Sequence, residues 1–168
     1  VLDAVEKLEE FGVRSEIWSA TSYGELRRDG LEVDRWNRLN PDKAVKQTWV
    51  KTQLGNSKTP IIAVSDNMAA VPDMVRKWMP ENFEVLGTDG FGRSDTREAL
   101  RRFFEIDGVA VTLAALSQLV RKGDIDAKVY QKAVKKFGVS SERTDITELW
   151  FSDALKKQNL QHQSWTCV

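Results

Sequence analysis

The chain has almost none of the residues that build metal sites or disulfides. Its 168 residues include one cysteine, Cys167, and one histidine, His162. A single cysteine cannot form an internal disulfide, so we expect a reducing compartment, the cytoplasm. A single histidine leaves no histidine-based metal cage, and neither paired cysteines nor an HExxH spacing is present. The composition therefore argues against a metal site within this chain.

An excess of charge and a long apolar run are also absent. The chain has 25 basic and 25 acidic residues and a formal net charge of zero. A general binder of nucleic acids or anionic membranes needs a surplus of Lys and Arg, so neither partner is expected. A membrane span needs roughly 20 apolar residues, and the most apolar stretch, residues 109–116, is about half as long. The first residues do not follow the pattern of a signal peptide.

The composition is that of a globular domain with a core. The chain is 41% hydrophobic and 30% charged, which is ordinary for a soluble protein. Its length is typical of one domain that can bury a core.

The best-defined pattern lies between Phe83 and Glu105. It predicts a buried strand over residues 83–87, a glycine-containing loop over 88–93 and a helix over about 95–105. Asp95 and Glu98 have the spacing of a capping box at the start of that helix. Partners and ligands of open α/β sheets gather at the carboxyl ends of strands. We therefore expect the working surface at residues 88–95.

Hydrophobic periodicity predicts two further strands, at residues 14–20 and 60–65, and a polar connection at 25–40. Six more helices are predicted, at residues 1–11, 41–54, about 71–79, 106–122, 124–137 and 140–160.

Three segments carry a family resemblance. VLGTDGFGRSDTRE, at residues 85–98, closely resembles the C-terminal domain of the decarboxylating component of the homodimeric, bacterial pyruvate dehydrogenase complex, a member of the transketolase superfamily. SATSYGELRRDGLEVDRWNRLNP, at residues 19–41, is similar to the same family, and so is the run from Phe104 to Ile125. The resemblance covers residues 1–143, and residues 144–168 depart from it.

The resemblance implies an α/β fold with three layers, in which helices cover both faces of a mainly parallel sheet. In the family one further strand precedes the first helix. This chain lacks that strand, so we expect an N-terminally truncated domain with an unpaired strand edge. We divide the chain into a transketolase C-terminal-like domain, residues 1–143, and an atypical C-terminal helix and tail, residues 144–168.

For function, the resemblance implies a part of a larger enzyme. The family decarboxylates pyruvate on thiamine diphosphate and magnesium and passes the acetyl group to a lipoyl group of dihydrolipoyl acetyltransferase. The superfamily holds its cofactor between domains that this chain does not include, so we expect no catalytic, cofactor-binding or metal residue here. The expected partners are the other domains of the parent, the second subunit of a homodimer and dihydrolipoyl acetyltransferase.

Two alternatives stay open at this point. One is a domain of another 2-oxo acid dehydrogenase or of a transketolase-like enzyme. The other is a free-standing interaction module without catalytic activity.

The candidate residues form an interface rather than a catalytic centre. Trp36, in the predicted polar connection, is the candidate aromatic anchor. Arg93 and Arg97 could reach a partner through forked hydrogen bonds to carboxylates. The complete set of candidates is Trp36, Asp89, Phe91, Arg93, Asp95 and Arg97.

Two other patterns are weaker indications of a functional site. Gly87, Gly90 and Gly92 are spaced G-x-x-G-x-G rather than G-x-G-x-x-G, and no Walker lysine follows, so a nucleotide site is not expected. Asp66 and Asn67 end the strand at residues 60–65, but a lone carboxylate without an acid, base or metal partner does not make a catalytic site.

Overall fold

The computed structural model describes residues 1–55 and 57–140. One compact unit comprises Val1–Phe137. The predicted helix at 140–160 and the predicted tail at 144–168 lie outside the described residues, apart from Ser140. The division of the chain after Arg143 stays a prediction.

The unit contains two strands and eight helical segments among the described residues. β1 and β2 pair in parallel, with Ile61 opposite Phe83 and Val64 opposite Leu86. In chain order the elements are α1 (Leu2–Glu9), α2 (Tyr23–Leu39), α3 (Trp49–Leu54), β1 (Ile61–Val64), α4 (Ala70–Asp73), a 3₁₀ turn (Arg76–Trp78), β2 (Phe83–Leu86), α5 (Arg97–Phe103), α6 (Gly108–Lys122) and α7 (Ala127–Phe137).

Helices pack against both faces of this sheet. Alternate strand residues point to opposite faces, and one face forms a core cluster with Val50 and Trp78. On the other face, the Gln118 side-chain amide of α6 donates to the Glu84 carboxylate at 2.5 Å. The strand residues in or against the core cluster are Ile61, Ala63, Phe83 and Val85. The predicted α/β fold with a parallel sheet is confirmed.

A second core cluster joins the terminal helices of the unit. Leu8 of α1, Leu113 and Leu116 of α6, and Ala133 of α7 are its buried members. The Asp107 carboxylate caps α6 by accepting from the Ala110 amide at 2.8 Å. The helices predicted at 1–11, 106–122 and 124–137 are therefore confirmed, each with somewhat narrower bounds.

The predicted polar connection at residues 25–40 is wrong, because the segment is the 17-residue helix α2. Ser22 caps it by accepting from the Glu25 amide at 3.2 Å. On the exposed face, Arg28 forms ion pairs with Glu25 and with Glu32. Pairs at this spacing stabilise a helix with little apolar surface.

The helix predicted at residues 41–54 is also wrong over most of its length. Only α3 is helical, and its cap is Thr48, whose side chain accepts from the Lys51 amide. Asn40 instead ends α2 and donates to the Trp36 carbonyl at 2.8 Å. Asn37 both donates to the Lys46 carbonyl and accepts from its amide, which ties the irregular segment 41–47 to α2.

The other differences concern the sheet and its connection. Residues 14–20, predicted as a strand, form neither strand nor helix, because no neighbouring strand in the described part of the chain offers them a hydrogen-bonding partner. The helix predicted at 71–79 is divided into α4 and a 3₁₀ turn around Met74 and Val75.

Trp78 fixes the position of α2 over the sheet. It is buried, and a Cβ added at Gly30 of α2 would lie 2.5 Å from its ring. The Trp78 indole N–H donates to the Asp34 carboxylate at 3.2 Å, and the Lys77 ammonium lies 2.5 Å from the same group. The hydrogen bond from Lys77, and then that from Trp78, hold the pKa of Asp34 below its usual value.

One stretch, Arg97–Lys122, has the length and apolar composition of a membrane-crossing helix. This is weak evidence, because core helices of soluble proteins pass the same test. In the structure the stretch comprises α5 and α6, and Asp107 caps the second. The expectation that the chain has no membrane partner stays a prediction.

Gly30→Ala should destabilise the domain by about 1–3 kcal/mol, because the added methyl group would overlap the buried Trp78 ring. Gly24→Ala in the same helix is the matched control, since its Cβ would meet only the Ser22 hydroxyl at 3.7 Å. The control should be neutral or stabilising by up to ~1 kcal/mol. Urea unfolding measures both, and equal midpoints for the two variants would contradict the close packing of α2 on Trp78.

Asp34→Asn should destabilise the domain by about 1 kcal/mol at pH 7, because it removes the charge that Lys77 and Trp78 stabilise. Since folding lowers the pKa of Asp34, its contribution is complete above the ordinary value of 3.8 and is lost as the pH falls through the lower folded value. Wild type and variant should therefore converge in urea unfolding as the pH falls below 3.8. Asp42→Asn, at an exposed position, serves as the control. A deficit that is the same at pH 3 and pH 7 would rule out this assignment.

Candidate functional site

The predicted working surface, residues 88–95, leaves the sheet at the carboxyl end of β2. Because the two strands are parallel, this end lies beside the segment that follows β1. The Thr88 amide donates to the Asn67 carbonyl at 3.0 Å, and the Thr88 hydroxyl donates to the Asp66 carbonyl at 2.9 Å. The Asp89 carboxylate accepts from the Ala69 amide at 2.9 Å. The base of the loop is thus fixed to the end of β1.

Gly87 permits this close approach. A Cβ at position 87 would lie 2.6 Å from the Ala69 Cα and 2.8 Å from the Asn67 carbonyl oxygen. Gly90 has a φ of 120°, a backbone conformation that favours glycine. These two glycines serve backbone contact and turning.

The tip of the loop is an exposed aromatic side chain. Phe91 is 90% exposed, and all residues from Asp89 to Glu98 are exposed. A large apolar side chain that is not buried by its own domain is typical of a contact surface when the loop that carries it is held by hydrogen bonds.

Arg93 and Arg97 differ in what they contact. The Arg93 guanidinium lies 4.7 Å from the centroid of the Phe103 ring, within the range of a cation–π interaction. Arg97 begins α5, and no hydrogen bond or ion pair to it is found among the described residues.

The predicted capping box at Asp95 and Glu98 is wrong. α5 begins later, and Thr96 caps it by accepting from the Ala99 amide at 3.3 Å. The Asp95 carboxylate accepts from the adjacent Thr96 amide at 2.8 Å instead. The physical reason is that Thr96 itself has a side-chain acceptor in the position that the first helical turn requires.

The four charged candidates of the loop lie in one exposed segment but do not pair with one another. No ion pair joins Asp89, Arg93, Asp95 and Arg97 within residues 1–55 and 57–140. Both carboxylates are occupied by backbone amides, and neither arginine is neutralised by a carboxylate. The segment therefore presents two negative and two positive charges that are not paired with one another beside Phe91.

Trp36 is not in a polar connection but on α2. It is half-buried, and the ammonium group of Lys46 lies 4.1 Å from its ring centroid. Within the described residues no hydrogen bond or ring contact connects it with the loop at 88–95. The structure thus separates Trp36 from the other candidates by its contacts, and it is not a free aromatic anchor.

The described residues do not fit a thiamine diphosphate–magnesium site. No group of three or more His, Cys, Asp or Glu side chains in this part of the chain could hold a metal ion. Asp89 and Asp95, the carboxylates nearest the loop tip, are engaged by amides.

Sequence reasoning did not predict a second feature, a cleft of about 1440 Å³ along β1. Both residues 13–23 and β1 line it. Two sequence signals relate to it: the strand-like alternation at residues 14–20, which the structure leaves unpaired, and the unpaired strand edge that the family resemblance implies.

Comparison with known proteins agrees with this architecture. The sequence model of the transketolase-like TK C-terminal domain matches residues 1–107. The pyruvate dehydrogenase E1 component of Pseudomonas aeruginosa is 48% identical over 135 residues, 80% of this chain and 15% of that protein. That of Mycolicibacterium smegmatis is 42% identical over 130 residues, which are 77% of this chain and 14% of that protein. That of Escherichia coli K12 is 40% identical over 147 residues, which are 86% of this chain and 16% of that protein.

These matches define both the family of the chain and the part of its relatives that it covers. The chain spans about 15% of the length of the curated relatives it matches. Both strands and the loop at 88–95 lie within the matched region, residues 1–107. The family resemblance inferred from the GTDGFGRSDTRE segment is confirmed, and the chain belongs to the family of transketolase-like TK C-terminal domains.

Proposed function

We propose that this chain is the C-terminal domain of a thiamine-diphosphate-dependent pyruvate dehydrogenase. The parent enzyme decarboxylates pyruvate and transfers the acetyl group to the lipoyl group of a dihydrolipoyl acetyltransferase. The observation that carries the proposal is the identity of 40–48% with pyruvate dehydrogenase E1 components, over 77–86% of this chain. The single cysteine supports a cytoplasmic location for the parent.

Within that enzyme the domain has a structural and assembly role and is catalytically silent alone. Supporting this, the described residues lack a donor set for magnesium. The carboxylates of the loop are used to fix the loop itself. Catalytic chemistry and the thiamine cofactor then belong to other domains of the parent.

The loop at 88–95, together with Arg97, is the surface through which the domain contacts the second subunit of a homodimer. The base of the loop is held by three hydrogen bonds to the end of β1. An interface loop that is already ordered loses little entropy on binding. Phe91 supplies the apolar anchor, and Arg97 supplies forked donors for a carboxylate of the partner.

A titration of thiamine diphosphate and magnesium into the 168-residue chain tests its catalytic silence. We expect no saturable change in the fluorescence of its six tryptophans, because the described residues include no group of three or more acidic, histidine or cysteine side chains that could hold the metal. The full-length parent enzyme is the positive control in the same buffer. Saturable binding to the isolated chain in the micromolar range would contradict the proposal.

Phe91→Ala in the full-length parent should weaken the homodimer about 30-fold or more, the effect of losing an interface hot spot of ~2 kcal/mol. Arg97→Ala should weaken it less, because a rim charge contributes less than a buried aromatic side chain. Sedimentation velocity over a dilution series measures the dimer dissociation constant.

Two exposed residues of α2 provide matched controls for that experiment. Leu39→Ala removes an exposed apolar side chain, and Arg27→Ala removes an exposed arginine, both away from the loop. Both should leave the dissociation constant unchanged. If Phe91→Ala behaves like Leu39→Ala, the loop is not the dimer contact; if only binding to the acetyltransferase falls, the assigned partner is wrong.

A further inference from the structure

The outer face of α7 has a local excess of positive charge. The helix has the sequence AKVYQKAVKKF, with four lysines and no acidic residue, although the chain as a whole has equal numbers of basic and acidic residues. Residues spaced i, i+4 and i+7 lie on one face of a helix. Three exposed lysines have this spacing and are called the lysine face below: Lys128, Lys132 and Lys135.

The opposite side of α7 is packed into the second core cluster. Ala133 is buried there. At 3.6 residues per turn, the core side of α7 lies opposite the lysine face. The residues of α7 in or against the cluster are Tyr130, Ala133, Val134 and Phe137. The core therefore fixes the direction in which the lysine face points.

No carboxylate within residues 1–55 and 57–140 forms an ion pair with the lysine face. Two neighbouring lysines are paired, Lys136 with Glu10 and Lys122 with Asp124. The Asp126 carboxylate accepts from the backbone amide of Lys128, at 2.7 Å, and not from its ammonium group. Like charges at the spacing i, i+4 destabilise a helix, so carboxylates from a partner would relieve a repulsion within α7.

The extent of the lysine face favours a compact acidic partner. Its two ends are separated by seven residues, or roughly 10 Å along the helix. The ion pair of Lys136 with Glu10 connects α7 to the end of α1, where Glu6 and Glu9 are exposed and carry the opposite charge. A nucleic acid or an anionic membrane extends much further than the lysine face and would meet these acidic residues. An acidic patch on a protein has a matching extent.

We propose that the lysine face of α7 is a docking surface for an acidic helix of another protein. Three carboxylates at the spacing i, i+4 and i+7 on such a helix have the same axial separations as the three lysines. Each ammonium group then receives one carboxylate when the two helices lie side by side. Because the contact consists of exposed ion pairs, it weakens as the salt concentration rises.

This surface is additional to the loop at 88–95. The loop is held at the end of the sheet by hydrogen bonds to residues after β1, whereas α7 is held by the second core cluster. The lysine face is a property of this chain and does not depend on the proposed function of the parent.

Two synthetic helical peptides of identical composition test the proposal with the 168-residue chain. In one peptide, three glutamates lie on one face at the spacing i, i+4 and i+7; in the other, they are distributed around the helix. We expect the first peptide to bind about tenfold more tightly at low salt, the effect of three exposed ion pairs. Chemical-shift changes in α7, which report weak binding, measure both affinities.

Replacing the three lysines of the lysine face together by glutamine should weaken binding of the first peptide about tenfold. Glutamine forms helices nearly as well as lysine, and urea unfolding checks that the variant is folded. The matched control makes the same change of charge at three exposed lysines outside α7, in the combined variant Lys43→Gln, Lys51→Gln and Lys58→Gln. This control should leave the affinity unchanged.

Three results would overturn the proposal. Equal affinities for the two peptides would show that the spacing of the carboxylates plays no part. Equal losses in the α7 variant and in the control variant would show that net charge alone explains the binding. Tighter binding of a short DNA duplex, or of vesicles that contain phosphatidylserine, with loss in the α7 variant only, would assign the lysine face to a nucleic acid or to a membrane.

Discussion

The parallel pairing of β1 with β2 is the contact on which the rest of the described domain depends. It forms the face that covers Val50 and Trp78, and it brings the ends of both strands to one edge. The loop at 88–95 is held at that edge because Thr88 and Asp89 reach the residues after β1. Without this pairing neither the position of α2 over Trp78 nor the direction of the loop would be defined.

Much of the fold was predictable where the local sequence alone determines the helix or strand. The run at 60–65 and the strand at 83–87 are short, apolar and bounded by turn residues, and both formed as β1 and β2. Predictions failed where contacts with residues distant in sequence determine the local structure. Residues 14–20 have a strand-like sequence, but a strand exists only when a neighbour accepts its hydrogen bonds. α2 was missed because its apolar residues are few and scattered; a cap, ion pairs and the packing of Tyr23 and Leu26 on the core cluster stabilise it.

The place of the loop was predictable, but the contacts of its residues were not. The strand–loop–helix pattern located the exposed loop, in which Phe91 is 90% exposed. The role of Asp89 depends on Ala69, 20 residues away, and no local pattern reveals that bond. The placement of Trp36 in a polar connection was wrong, because residues 23–39 are helical. On a helix, the same residue is covered by a lysine that follows it.

The hydrogen bonds at the base of the loop begin directly after β1, so one strand has the cleft along its side and the loop at its end. A loop that is hydrogen-bonded to a strand is no more rigid than that strand, and a strand with few buried contacts opens more readily than one in the middle of a sheet. The order of the loop therefore depends on the sheet as well as on Thr88 and Asp89, which bind it there.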